Sequence, residues 1–585
     1  MKTSTKLHSL VFSILSLSAS SAYAQASASA VSHFKIREAT DVGCGYGDSC
    51  WPADWEWALL NFTVGGRIKK VTPVASVCHD QFGQYDAAAC ADLTNNWAIG
   101  EYISQFDGGY PSHTWGDGYG TDSCSTLTER SGSCGQGRVP PVFADIESIG
   151  DLLAVMAFVR FHNLRVRIKS TGHSLTGGSA AKGAFGISVH RLKDIDFSDN
   201  YRLTGTLKKV GPAVTIGAGV QFFELYEAAH QEGVVVVGGG CDSVSISGYT
   251  LGGGHSRYSP SLGLEVDNVL EFTILTAEGF YLTVNEYYNT DLWWAVRGGG
   301  SGFGIITSWT IKTHPLVQNE LVNNFQIITN SQESYTEALY QFLKLEPTWR
   351  NERWSDLVVA TQSANLIVGA AFKPNVTSQA DEEALWDPLK DWAAANNVTV
   401  VTNFTMYSSQ YEVSTREPFA NQHEVPSDTQ KMMSRLLQAS LFNDDDKLHQ
   451  AAEFLGALPS VNFLNVPGGA VMNQPSSAMA LNPAWRTAIS HTVWYANWDQ
   501  GATLAQQTAI RATGSIQLND FTNIIGSEAA YINESDPDDL SWPNNYFGDD
   551  ANYQKLLSIK KKYDPNHYFT CTGCVGSEYP ANKRF

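Results

Sequence analysis

Charge is scarce in this chain. Asp, Glu, Lys and Arg make up 17% of its 585 residues, and the 59 acids outnumber the 39 bases. A net charge of −20 repels phosphate, which argues against nucleic acid or an anionic membrane as the main partner. Beyond the N-terminus there is no long apolar run, so no segment of the body reads as a membrane span. Several signatures are missing altogether. No loop satisfies G-x-G-x-x-G, which excludes the Rossmann dinucleotide fingerprint, and no G-x-x-x-x-G-K-[ST] marks a P-loop. No H-E-x-x-H is present, so zinc hydrolysis of that type is not expected. Gly172-His173-Ser174-Leu175-Thr176 starts like a nucleophile elbow, but Thr176 stands where the closing glycine is needed. Cys571 and Cys574 form a C-x-x-C with no second pair nearby, so no metal site is expected there.

What is present begins with export. Lys2 and Lys6 precede an apolar run from Leu10 to Leu17, and Ala22-Tyr23-Ala24 fits a cleavage site. Residues 1–24 read as a secretory signal peptide, too short for a membrane span. A secreted, extracellular protein is expected. Five N-x-[ST] sequons, at Asn61, Asn375, Asn397, Asn403 and Asn533, fit that route. Six of the nine cysteines lie between Cys44 and Cys134, enough for three disulfides in an oxidising compartment. Cys571 and Cys574 pair with each other or each with a distant partner. Cys241 stands apart, and an odd cysteine in a secreted chain needs an explanation.

Residues 25–139 mix Gly, Pro, Asp, Trp and Cys without periodicity and read as a disulfide-rich N-terminal extension. Order rises after 140. A capping box at Ser148 and Asp151 precedes a helix marked by Ile149, Leu152, Leu153, Met156 and Val159. A strand over 165–171 runs into a glycine-rich turn, 172–179. A strand over 213–219, a helix over 221–233 and a buried strand over 234–240 follow. A hairpin over 268–284 turns at Glu278-Gly279, and 291–311 reads as helix, glycine loop and strand. Within GGGCDSVSISGYTLGGGHS, residues 238–256, a strand-like run lies between two glycine triplets. From 318 to 520 helices at 333–346 and 379–395 alternate with strands at 355–362 and 397–407. That pattern predicts a second domain on an antiparallel sheet covered by helices. Residues 521–585 return to the first domain through a helix over 552–563. The expected fold class is α+β, with two domains, the first of them discontinuous.

Glycine lets backbone N–H groups approach a ligand and tolerates positive φ. Several glycine-rich loops in one domain point to a large phosphate-bearing cofactor lying across backbone. RIKSTGHSLTGGS, residues 167–179, resembles the pyrophosphate loop of the vanillyl-alcohol-oxidase / p-cresol-methylhydroxylase flavoproteins. Within that superfamily the chain is similar to the berberine-bridge-enzyme-like branch, especially its secreted fungal alcohol and oligosaccharide oxidases. CGYGDSCWPADWEWALLNFTVGGRI, residues 44–68, and the run from Tyr531 to Phe569 resemble the fungal isoamyl-alcohol-oxidase-like group. The resemblance covers most of the mature chain. It is strongest over 140–312 and 525–570 and weak over 318–460.

The resemblance implies an FAD-binding domain over 140–317, completed by 521–585, and a substrate domain over 318–520. His173 matches the histidine bonded to the flavin 8α-methyl, and Cys241 matches the cysteine bonded to flavin C6. A bicovalent FAD would account for the odd cysteine. Gly172, Ser174, Gly177 and Gly178 in one loop, and Gly252, Gly253 and Gly254 in another, would flank the cofactor. Val244 matches a gate position where valine goes with oxidases, implying dioxygen as acceptor and hydrogen peroxide as product. His255 stands where plant relatives keep a tyrosine base, and Thr492-Val493-Trp494 where they keep Lys-x-Gln. The expected base is His255 or Tyr531, the latter in a Y-x-N match with Asn533, and His491 is a further candidate by type. Tyr531 qualifies only if something lowers its pKa. Trp485, Trp494 and Tyr495 are candidates to line a cleft. The implied function is hydride transfer from an alcohol C–H to FAD. An oligosaccharide oxidase and an oxidative tailoring or cyclising enzyme of secondary metabolism are the alternatives. The expected partners are a small alcohol or saccharide and dioxygen, with a monomeric chain.

Overall fold

The computed structural model describes residues 43–111, 124–417, 430–499 and 502–578. The signal-peptide reading over 1–24 lies outside them. Ser148 Oγ accepts from the Asp151 N–H, and the Asp151 carboxylate accepts from the Ser148 N–H, so the expected capping box starts helix Ile149–His162. Asn163 ends it in the left-handed region at φ 50°. The helix buries Leu152, Val155, Met156 and Val159 against a four-stranded sheet. That sheet holds β1 (Ile68–Lys70), β2 (Val142–Asp145), β3 (Val166–Lys169) and β4 (Phe185–Ser188) in the order β1-β2-β4-β3. Its three later strands are parallel, and β1 joins antiparallel from the N-terminal extension.

A second sheet is antiparallel throughout. It comprises β5 (Ile195–Arg202), β6 (Lys209–Gly217), β8 (Val269–Leu275), β9 (Tyr281–Asn285) and β10 (Ile305–Lys312), in the order β5-β6-β10-β8-β9. The hairpin β8–β9 turns where expected, with Gly279 at φ 85°. The strand expected over 234–240 is shorter. Only β7 (Val234–Val235) pairs, with β11 (His314–Pro315), and the buried chain beyond it continues without a strand partner into a cavity wall. The strand-like run before the second glycine triplet is a helix, Ile246–Gly252. Its buried residues include Ile246, Tyr249 and Thr250, an i, i+3, i+4 spacing that suits a helix packed on one side.

The third sheet has seven antiparallel strands: β12 (Glu320–Ile328), β13 (Ser355–Thr361), β14 (Leu366–Lys373), β15 (Thr399–Tyr407), β16 (Gln430–Gln438), β17 (Ser460–Asn465) and β18 (Ala488–Asn497). Their order is β15-β12-β14-β13-β17-β18-β16. Helices cover one face and bury Trp349, Trp354, Trp386 and Phe342 there. The helix expected over 379–395 breaks at Trp386, because Pro388 fits only the first turn of a new helix, Asp387–Ala395. On the opposite face Leu357 and Leu464 border a cavity shared with Ile168 of the first sheet and Ile306 of the second. The architecture is the α+β, two-domain class expected.

Four disulfides form, Cys44–Cys50, Cys78–Cys90, Cys124–Cys134 and Cys571–Cys574, and Cys241 stays outside them. The stapled extension is packed in, not appended. Lys169 Nζ donates to the Phe106 carbonyl at 3.0 Å, and Gln221 Nε2 to Ser104 Oγ at 3.1 Å. No helix among the described residues is long and apolar enough to cross a membrane.

The chain returns through helix Asp550–Tyr563, which packs Tyr553, Leu556, Leu557 and Ile559 into the core of the second sheet. Lys560 is wholly buried there. Its Nζ donates to Asp564, to the Gly302 carbonyl and to the Phe569 carbonyl, while Asp564 accepts from the Tyr568 and Phe569 N–H groups. One ion pair thus holds two stretches of chain that border the cavity. Asp564→Asn strands the ammonium without a counter-charge, and a loss of about 3–5 kcal/mol is expected as a lower unfolding midpoint. Adding Lys560→Met should recover part of it.

Candidate active site

At the end of β3 the chain turns at once into the loop 170–179. Gly172 sits at φ 91°, with Gly109, Tyr110 and Lys169 so close that a Cβ would have its nearest neighbours within 3.2 Å. This turn sends His173 into a large cavity. The same cavity is walled by 238–241, by Val244, Ser245, Ser247 and Gly248, by the glycine loop 300–306, and by 569–574. Much of that wall is backbone. Gly248 meets nothing within 4 Å where a side chain would begin, so the space before it is open.

His173 and Cys241 face this space together. His173 Nε2 and Ser243 Oγ are 2.9 Å apart, and Cys241 Sγ lies 3.6 Å from the same hydroxyl. A serine thus stands between an imidazole and a thiol that are 68 residues apart in sequence. Gly100, from the N-terminal extension, backs this serine; a side chain there would collide with it.

The far end of the cavity has different chemistry. Glu534 reaches one carboxylate oxygen to His255 Nε2 at 3.0 Å and the other to His491 Nε2 at 2.8 Å. Burial works to raise the Glu534 pKa, but the charge of His255 and the hydrogen bonds from both imidazoles outweigh it and hold the group well below the usual carboxylate range. A carboxylate only accepts, so both Nε2 atoms carry protons. His491 is wholly buried, and burial lowers its pKa despite Glu534, so it is a neutral donor. In a neutral His255 the same bond leaves Nδ1 as the basic nitrogen. Tyr531 packs edge-on to His255, with ring centroids 5.1 Å apart. Its hydroxyl accepts from Asn533 Nδ2 at 2.8 Å. Burial and the Glu534 charge push the phenol well above its ordinary pKa, so the lowering that a tyrosine base requires is not met, and Tyr531 keeps its proton.

Of the residues singled out from sequence, Gly172, His173, Ser174, Gly178, Cys241, Val244, His255 and Tyr531 line the cavity. Gly177 and the triplet Gly252, Gly253 and Gly254 do not. Gly177 is backed by Arg138; the triplet lies against Asn533, Leu481 and the pair Tyr249 and Glu265, where added Cβ atoms would clash. Those glycines allow close packing behind the wall. Trp494 belongs to the helix-covered core, and Trp485 is buried beside Tyr531; Tyr495 alone of the three aromatics borders a cleft. Ser243 and Glu534 were not found by sequence reasoning. Glu534 had one local signal, a charged residue directly after the Y-x-N match.

The donor set fits a flavin. A backbone wall with an open glycine face suits a flat ring and a pyrophosphate, and two nucleophilic side chains reach the same region. Fold and site together define a cofactor-dependent oxidoreductase. A family model described as FAD binding domain matches residues 140–285, and one described as Berberine and berberine like matches 530–573. An uncharacterized FAD-linked oxidoreductase of Arthroderma benhamiae is 33% identical over 92% of this chain and 94% of its own. The VAO-type flavoprotein oxidase VAO615 of Thermothelomyces thermophilus is 32% identical over 91% of this chain and 92% of its own. The crystal structure of the VAO-type flavoprotein MtVAO615 from Myceliophthora thermophila C1 superposes with a TM-score of 0.81 at 31% identity, covering 92% of this chain and 97% of that one. The chain belongs to the VAO-type, berberine-bridge-enzyme-like family of FAD-linked oxidoreductases.

The Glu534 carboxyl titrates lower when folded than the value near 4.3 of an unfolded glutamate. Its contribution to stability is therefore complete above about pH 5 and lost as pH falls through the folded value. The gap in unfolding midpoint between wild type and Glu534→Gln should be widest near neutrality and close on acidification.

Proposed function

We propose that this chain is a secreted oxidase of alcohols, carrying FAD bonded through both His173 and Cys241 and using dioxygen as acceptor. When bound, FAD would supply a two-electron acceptor for the alcohol and a two-electron donor to dioxygen, with hydrogen peroxide as product. The FAD-binding part is read as 140–317 with 521–585, and the substrate part as 318–520. The observation that carries the reading is the His255–Glu534 pair facing the same cavity as His173 and Cys241.

The residues of the chain do the rest. His255 Nδ1 takes the hydroxyl proton, and Glu534 steadies the imidazolium that results. His491 donates to the other Glu534 oxygen, which fixes the carboxylate in place. Tyr531, protonated beside His255, orients the substrate oxygen. Val244 lies on the cavity wall, as the oxygen-gate reading needs, and a relative carries the name oxidase.

The substrate side combines apolar side chains with polar groups. From Glu534 a narrow cleft runs between Leu175 and the open face of the third sheet, lined by Leu357, Val359, Met432, Leu464 and Val493. Its hydrogen-bonding side chains besides Glu534 are Asn462 and Tyr495.

Three experiments test this. A peroxide-coupled screen should show turnover with aliphatic or aromatic primary alcohols and none with cello- or xylo-oligosaccharides; the reverse pattern would sink the substrate reading. His255→Ala should lower kcat by about 10²–10⁴-fold, and Tyr531→Phe by less. Acid precipitation should retain flavin in wild type and in His173→Ala or Cys241→Ala, and release it only from the double variant. Free flavin from wild type would end the bicovalent reading.

A further inference from the structure

The strand β15 stands at one end of the seven-strand order and, among the described residues, pairs with β12 alone. Its other edge has no strand partner among the described residues and offers a template on which a strand of another molecule can add. Proteins usually blunt such an edge with a charge, a proline, a bulge or a very short strand. All four of these are missing within this strand. Thr399–Tyr407 runs nine residues as TVVTNFTMY, without a charge or a proline, and its register against β12 is unbroken from Thr399 to Tyr407. The strand also exposes apolar side chains, Val401 at 47% and Met406 at 39%, with Ile328 at 42% on the neighbouring strand.

Two sequons sit on this edge. Asn397-Val398-Thr399 leads into the strand and Asn403-Phe404-Thr405 lies at its middle, and both asparagines are exposed. Asn533 is the contrast. It lies in the cavity wall with its Nδ2 donating to the Gly248 carbonyl and the Tyr531 hydroxyl, so it has no room for a sugar.

We infer that Asn397 and Asn403 carry N-linked glycans, and that these glycans replace the missing gatekeepers of the β15 edge. Each Nδ2 attacks C1 of a lipid-linked oligosaccharide. A C–N bond forms, the C–O bond to the lipid diphosphate breaks, and the amide proton leaves with the diphosphate. The bulky hydrated chain then keeps a second β-strand from approaching. The inference rests on the proposed secretory route.

The test uses the full-length holoenzyme secreted from a glycosylating yeast. Glycopeptide mapping should find Asn397 and Asn403 occupied, Asn375 occupied as an exposed sequon off this strand, and Asn533 bare. The double variant Asn397→Gln/Asn403→Gln should keep its flavin and its turnover per monomer. In light scattering after size-exclusion chromatography it should shift toward dimers and larger species with rising concentration, while Asn375→Gln stays as wild type. Adding Val401→Lys to the double variant should restore the monomer by returning a charge to the edge. Bare Asn397 and Asn403 beside an occupied Asn375 overturn the inference and leave secretion standing. No glycan at any sequon overturns the secretory reading and the inference with it. A double variant that associates no more than wild type shows the edge needs no guard.

Discussion

A single carboxylate holds the far end of this molecule's cavity together. Glu534 comes from the returning C-terminal segment, His255 from the turn after the second glycine triplet, and His491 from β18 in the third sheet. Burying a carboxylate is costly unless its oxygens are satisfied, and here each oxygen meets one imidazole N–H. The three segments must therefore meet to within hydrogen-bond distance. That requirement fixes how the seven-stranded sheet stands over the cavity.

The segment bearing Glu534 is itself clamped. The Leu436 N–H donates to the Ala529 carbonyl at 2.8 Å, and Ser434 Oγ bonds the Glu534 carbonyl. Just beyond, Lys431 pairs with Asp536 and Asp538, and Arg511 pairs with Asp538, all four side chains almost wholly buried. Two positive and two negative groups balance, so the cluster avoids the cost of an unpaired buried charge. Its effect is positional, because β16 and helix Leu504–Ile525 grip the loop from one side. On the other side Arg257, two residues after His255, pairs with Glu320 at the start of β12. His255 and Glu534 are thus each tied to the third sheet by buried ion pairs in their own segments.

Much of the first half was legible in sequence. The capping box at Ser148, the hairpin turn at Gly279 and the helix near the C-terminus are local signals, and each appears where its residues place it. The glycine loop ahead of His173 and the odd Cys241 were legible for chemical reasons, since both residue types are conspicuous against their surroundings. The helix Ile246–Gly252 was not. Its Ile, Tyr and Thr are strand formers, and packing overrode that preference. Nor could a glycine triplet be sorted into wall or backing. Gly248 and Gly254 look alike in sequence, yet one faces open cavity and the other presses on Tyr249 and Glu265.

The sequence by itself determined the helix capped at Ser148, the hairpin at Gly279, the glycine loop ahead of His173, and the cysteine left over from pairing. Those features depend on spacing within a few residues, or on a residue type that stands out alone. Only the tertiary structure decided that His255 has a carboxylate partner, that Tyr531 keeps its proton, and that Trp494 belongs to a core and not to a cleft. Each of these depends on what a side chain meets across long stretches of chain. Glu534 lies 279 residues beyond His255, and no local periodicity records such a contact. It arises only when three sheets are packed and a buried charge has to find its donors.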